Sequence, residues 1–287
     1  MGTSTAYGGP GGETPLIPSW LGNGSGSEPD MGQDGGPPSN SDDPPAPPAK
    51  PPIPKSADSQ RFSGARNNFT RFAGSGGNDR ASLGRAVSRY VSTSSGGARQ
   101  AAQRMGASRG AGARLLGFLS DANTKGMREA LREFNLQSMA GRPISEVFVA
   151  LADHICPGAS TVDEGIAREA YIETIIDLAD EGVADLDTFT PEQMDTVFEL
   201  YATHAIEARI CNDIGTKVVT MPSNAQVAHQ VEKQLRDFIR GAVGDALTRA
   251  RESTPNMTQD QVLAFVDSVY ESAFSILQSL GDAEAEQ

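Results

Sequence analysis

The chain has 287 residues, of which 38% are hydrophobic and only 6% aromatic, so a packed core can fill part of its length but not all of it. A formal net charge of −13 hides a division: residues 1–60 carry seven acids against two lysines, residues 61–132 thirteen basic residues against three acids, and residues 133–287 twenty-seven acids against nine basic residues. No run approaches the roughly 18–20 apolar residues of a bilayer span, the start has no signal-peptide pattern, and two cysteines without close pairing exclude a disulfide framework, which together predict a cytoplasmic protein without a membrane partner.

Residues 1–20 read as a leader. It is not uniformly polar, as a plain tail would be: Tyr7, Leu16, Ile17 and Trp20, the single tryptophan of the chain, stand among Thr3, Ser4, Gly8, Gly9, Pro10, Pro15 and Pro18. Such residues are placed to be received by another surface, and Thr3, Ser4, Tyr7, Gly8, Gly9, Pro10, Pro15, Leu16, Ile17, Pro18 and Trp20 are the candidate partner-binding positions. Removal of Met1 ahead of a small second residue would leave Gly2 with a free α-amine. Its pKa of roughly 7.7–8.0, against about 10.4 for lysine, leaves a nucleophilic fraction near neutral pH. A myristoylation reading is weak, because Ala6 stands where that pattern wants Ser or Thr and no basic run follows nearby.

Residues 21–60 are a Gly/Pro-rich linker, expected to be disordered. The tract from Pro44 to Pro54 removes amide donors and favours extended polyproline conformations. A PxxP ligand is the other reading of this tract, but no arginine flanks it and spacer is the simpler assignment.

At Arg61 the character changes. Ten arginines from Arg61 to Arg114 stand against the single acid Asp79, many at steps of five: Arg61, Arg66, Arg71, then Arg80, Arg85, and Arg99, Arg104, Arg109, Arg114. A step of five turns about 140° on a helix, so these residues scatter round the cylinder and build no single face. The segment 61–132 is read as helical, with an N-cap at Asn78 or Asp79, a helix through Tyr90 ending near Gly96-Gly97, and a second helix over about 98–119. Arg61, Arg66, Arg71, Arg80, Arg85, Arg89 and Arg104 are candidates for contact with nucleic acid or with a protein. Interleaved Phe62, Phe69, Phe72 and Tyr90 could stack on bases, but the acidic half of the same chain offers a nearer counter-charge, which favours protein contact.

The remaining residues, 133–287, read as an acidic all-helical domain. Pro143 precedes Ile144, Val147, Phe148, Leu151 and Ile155 at helical spacing, and Pro157-Gly158 stops the run. A helix follows over about 161–181. Thr190, Pro191 and Gln193 make a capping signal for a helix carrying Met194, Phe198, Tyr201, Ala205 and Ala208 and stopping near Gly215. Two more follow, through Val227, Val231, Leu235, Phe238, Ala242 and Ala246, and through Val262, Val266, Val269, Ala273, Ile276 and Leu280. The best strand-like run, Lys217 to Met221, is too short for a sheet. The predicted fold class is all-α, a bundle-like body of about six to eight helices behind a long tail.

Tests for chemistry give little. There is no Walker loop and no nucleophile elbow. His154, Cys156, His204 and Cys211 could make a zinc site only by a fortunate convergence, and the carboxylates around Asp177, Asp180, Glu181, Asp185 and Asp187 read as a solvated acidic surface. No metal site, no cofactor of its own and no catalytic residue are predicted.

The leader Met1-Gly2-Thr3-Ser4, Tyr7-Gly8-Gly9-Pro10 and Thr14-Pro15-Leu16-Ile17-Pro18-Ser19-Trp20 resembles the start of the QatB family of the four-gene bacterial Qat anti-phage systems. The likeness continues through Arg61-Phe62-Ser63-Gly64-Ala65-Arg66, Asn68-Phe69-Thr70-Arg71-Phe72, Gly84-Arg85-Ala86, Tyr90-Val91 and Arg104-Met105-Gly106. The resemblance implies a defence component acting beside an ATPase, QatA, a QueC-like protein, QatC, and a TatD-like hydrolase, QatD. QueC-type enzymes activate a carboxylate on 7-deazaguanine with ATP and pass it to an amine, so ATP, zinc and the deazaguanine belong on that partner. Carried onto this chain, the resemblance implies Gly2 as the acceptor, Thr3 to Gly9 extended in the partner's cleft, and Trp20 anchoring the outer end. A leader folded back on its own helices, or an adaptor that binds nucleic acid through Arg61 to Arg114, are the competing expectations.

Overall fold

Several helices in this chain begin or end on a residue whose chemistry suits the place. The computed structural model describes residues 60–158, 160–180, 190–215, 221–254 and 257–286, all within the unit Pro54–Gln287. Expectations for the leader and for the linker up to residue 59 lie outside the described residues, as does most of the strand-like run at 217–221. Among the described residues there are ten α-helices and no strand: α1 Ser63–Gly74, α2 Arg80–Arg89, α3 Ala98–Gln103, α4 Gly106–Lys125, α5 Met127–Arg132, α6 Ile144–Ile155, α7 Val162–Asp180, α8 Pro191–Ile214, α9 Ala225–Ser253 and α10 Val262–Ala285.

Asp79 caps α2, its carboxylate accepting from the Ser82 amide at 2.9 Å. Thr190 and Gln193 close a reciprocal capping box on α8, with Pro191 in the first turn. Asn224 accepts from the amides of Gln226 and Val227 at the head of α9. Gly126, at φ 84°, turns the chain out of α4 and directly into α5. The count exceeds the expected six to eight because the anticipated helix over 98–119 is interrupted at Arg104-Met105, giving α3 and α4, and because α1 and α5 are separate helices. After α2 the chain takes a π-helical turn at Tyr90–Ser94 before Gly96-Gly97.

A single hydrophobic core runs from Ala65 in α1 to Leu277 in α10, crossing without a break the point near residue 132 where the charge changes sign. The hairpin of α1 and α2 packs on α10, which also packs on α3, α4 and α9; α7 is held between α6 and α8, and α8 against α9. The α2–α10 crossing is unusually close. A Cβ on Gly84 would lie 2.7 Å from the Gly281 carbonyl, and one on Gly281 would lie 2.6 Å from the Gly84 carbonyl, so the two backbones meet where only glycine fits. Tyr90, Tyr171 and Tyr201 are fully buried, and each finds an acceptor: Asp213, the Phe148 carbonyl and the Ser108 carbonyl, at 2.9, 2.9 and 3.0 Å.

Candidate functional site

Three arginines of the basic segment each end a different helix. Arg66 Nε donates to the Ile214 carbonyl at the end of α8 at 2.8 Å, Arg114 Nε to the Ile155 carbonyl at the end of α6 at 2.7 Å, and Arg85 Nη1 to the Ala285 carbonyl at the end of α10 at 3.3 Å. The last carbonyls of a helix have no intrahelical donor and carry the negative end of its dipole, so a guanidinium there satisfies both. The step of five, which builds no single face, is what allows neighbouring arginines to serve different elements.

Other arginines of the set meet carboxylates or rings. Arg104 Nη2 pairs with Asp213 at 3.2 Å, and its guanidinium lies 5.5 Å over the Phe62 ring. Arg61 covers the same ring at 5.6 Å and donates to the Ser94 carbonyl, while Ser94 Oγ donates back to the Arg61 carbonyl at 2.9 Å. Arg109 pairs with Asp267 on α10, and Arg80, three-quarters exposed, reaches Glu284 at 3.9 Å. Arg71 and Arg89 are exposed, Arg89 lying beside Gly64. The aromatics of the segment are not presented to solvent. Phe69, Phe72 and Tyr90 are buried, and Phe62 stacks on Tyr90 with ring centroids 5.8 Å apart.

Asp213 is the hub of this region, with a side chain 7% exposed. It accepts from Tyr90 Oη at 2.9 Å, from Arg209 Nε at 3.2 Å and from Arg104 at 3.2 Å, so the residues that follow α2 and α3 are tied to α8 at one carboxylate. Burial, with the Asp213 charge beside it, pushes the Tyr90 hydroxyl well above the usual phenol range. Sequence reasoning missed this hub. The Arg209–Asp213 spacing of four on a helix was the signal, but nothing in the pattern says that Tyr90 and Arg104 arrive from far along the chain.

A second polar network joins α7, α8 and α9. His204, 3% exposed, holds Nε2 against Asp177 at 2.8 Å, and Glu207 is ion-paired to Arg236 at 2.7 Å. Burial raises the Glu207 carboxyl, an effect that Arg236 opposes. The candidate zinc ligands are dispersed over other tasks: His154 packs its ring 5.0 Å from that of Phe134, Cys156 Sγ faces the Ala167 carbonyl at 3.6 Å, and His204 is committed to Asp177. No group of three or more His, Cys, Asp or Glu side chains suited to a metal ion occurs among the described residues. Burial pushes the Cys156 thiol up to about 11 and the Cys211 thiol up to about 12, the wrong direction for a nucleophile. Cys211 lines an apolar cleft with Phe69, Phe72, Ile214, Val231 and Leu235.

The leader positions, Gly2 and Thr3 through Trp20, lie outside the described residues. No described helix is long and apolar enough to cross a membrane. Comparison with curated proteins and with solved structures finds no match. A family model does match, over residues 96–277, and it describes the Qat anti-phage system associated protein QatB. The match spans α3 to most of α10 and covers well over half of the sequence. The chain belongs to the QatB family, and its role is in Qat anti-phage defence.

Proposed function

We propose that this protein is a non-catalytic component of the defence complex, a helical docking scaffold that presents its leader to a QueC-like partner, with the Gly2 amine as acceptor of a 7-deazaguanine-type acyl group. QatC is the expected recipient of the leader, and QatA and QatD are the expected neighbours of the body. The observation that carries this reading is a division of labour along the chain. The body engages seven of the ten arginines from Arg61 to Arg114 with its own groups, three on helix ends and others on the Ser94 carbonyl, Asp213, Asp267 and Glu284, while Arg71, Arg89 and Arg99 are exposed. Its thiols are held neutral by burial. The leader alone combines an unhindered glycine start, small residues that let a foreign backbone approach, and bulky apolar anchors. Acylation would form an amide between the Gly2 nitrogen and the activated carboxyl carbon, with loss of the activating group and one amine proton on the partner. ATP, and any zinc, would act there and not on this chain.

The same internal pairing weighs against the nucleic-acid reading. A single-strand binder needs arginines along a groove and rings open for stacking, whereas here the rings of Phe69, Phe72 and Tyr90 are in the core and that of Phe62 is covered by Tyr90 and two guanidinium groups.

Phage plaquing on cells carrying the whole system tests the reading. Deletion of residues 2–20 is expected to abolish protection while the purified body keeps its helical circular dichroism, and Trp20→Ala is expected to weaken protection. Full protection by the deletion variant would sink the proposal.

A further inference from the structure

Helix α7 carries a second seam that faces away from the core, apolar at Val162, Ile172, Ile176 and Ala179 and interrupted by Gly165 and Glu169. Val162, Gly165, Glu169, Ile172, Ile176 and Ala179 follow one another at steps of three and four, and all six are exposed, Val162 by 65%, Ile172 by 46% and Ile176 by 47%. That spacing is the one by which a helix meets another helix along its length. A globular helix ordinarily shows one apolar stripe, turned inward. Here the inner stripe already exists: Ile166, Ala170, Tyr171, Thr174 and Leu178 are buried.

The contacts that hold α7 lie on its other sides. On the α6 side, Tyr171 Oη donates to the Phe148 carbonyl at 2.9 Å and Arg168 pairs with Asp153 at 2.8 Å. On the α8 side, Asp163 pairs with Arg209 at 3.0 Å and Asp177 with His204 at 2.8 Å. The helix is therefore a fixed ridge, braced on both flanks, with its crest uncovered among the described residues.

The charge around the crest selects the occupant. Six carboxylates lie on α7, namely Asp163, Glu164, Glu169, Glu173, Asp177 and Asp180, against the single cation Arg168, which Asp153 already engages. Glu169, in the seam itself, and Asp180, at its end, form no salt bridge among the described residues. A second copy laid along the seam would set these carboxylates against their own kind, an unfavourable pairing. A helix with apolar residues at the same spacing and Lys or Arg on both flanks would bury Ile172 and Ile176 and neutralise the acids beside them. We infer that the outer face of α7 is a docking site for a cationic amphipathic helix of a partner protein. This rests on reading the body as a scaffold and gives that scaffold a specific face.

The test uses the full chain and a defined probe: a fluorescein-labelled three-heptad peptide with Leu at the seam positions and Lys on both flanks, beside a twin bearing Glu in place of Lys. Anisotropy titrations should show binding of the Lys peptide, weakened by added salt, and none of the Glu peptide. The double variant Ile172→Lys, Ile176→Lys alters exposed positions only and should unfold at the same temperature as the parent. It is expected to weaken binding by about tenfold or more, whereas Leu263→Lys, an exposed leucine on α10, should leave it unchanged. The inference is overturned if the Lys peptide fails to bind, if both peptides bind alike, or if the double variant binds as well as the parent. It is equally overturned if sedimentation shows the parent to be a dimer that the double variant abolishes, since the seam would then belong to a second copy. None of these readouts involves Gly2, so loss of the docking face and loss of the acceptor reading are separable: the N-terminal mass reports only on the latter.

Discussion

Asp213 shows how much one side chain can decide. Its carboxylate is nearly buried and is the shared acceptor of Tyr90, Arg104 and Arg209, so removing it takes the charge partner from Arg104, the acceptor from a buried phenol, and leaves Arg209 with Asp163 alone. Asp213→Ala is expected to cost about 2–3 kcal/mol, below the range for a buried charge left wholly unpaired, because Arg209 keeps Asp163 and Arg104 reaches solvent. Tyr90→Phe should cost nearer 1 kcal/mol, because it deletes one hydrogen bond and leaves the charges paired. Urea unfolding at constant slope measures both, and a loss below about 1 kcal/mol for Asp213→Ala would contradict the hub. The thiols make a second prediction at this scale. With Cys156 held up to about 11 and Cys211 up to about 12, the thiolate fraction near pH 8 is on the order of one in a thousand or less. Both should therefore resist iodoacetamide in the native protein and react fully in denaturant, as peptide mass mapping would show; rapid native alkylation of Cys211, half-buried in its cleft, would contradict the raised thiol.

At the scale of elements, the helices were legible where a local rule acts alone. Thr190, Pro191 and Gln193 announce the start of α8, and Pro143 the start of α6, because capping chemistry is complete within a few residues. Asp79 belongs to this group. Its hydrogen bonds from Ser82 hold its carboxyl below the usual 3.8, so the cap contributes stability above that value that is lost as pH falls through the lower folded one. Asp79→Ala should cost about 1 kcal/mol at neutral pH and progressively less in acid, and an undiminished difference at low pH would exclude the cap. What the sequence did not disclose was the break between α3 and α4, the π-helical turn after α2, and the pairing of α2 with α10, each of which depends on residues far apart in the chain. Gly84 and Gly281, each inside a helix, prove to be the contact itself. Gly84→Ala should destabilise by about 1–3 kcal/mol, whereas Gly241→Ala, inside α9 with open space around its Cβ, should gain about 0.5–1 kcal/mol. Equal effects of the two substitutions would refute the close crossing. The candidate site was legible in part: the scatter of arginines was predicted from their spacing, but which carbonyl or carboxylate each would reach was not, since that is set by tertiary packing.

For the whole molecule, the change of charge near residue 132 marks no boundary of folding. The basic helices α1 to α4 and the helices α6 to α10 of the acidic segment share one core, and arginines of the first group end or pair with members of the second. Separately produced segments 61–132 and 133–287 are therefore expected to lack cooperative unfolding, while the whole body melts in a single transition. Stable, independently melting halves would contradict the shared core. The proposed function turns on what happens to Gly2. The most direct measurement is the mass of the N-terminal peptide from cells holding the complete Qat system, compared with cells lacking its QueC-like member. The account predicts an added deazaguanine-type acyl mass on Gly2 in the first and an unmodified peptide in the second; identical masses in the two would contradict it.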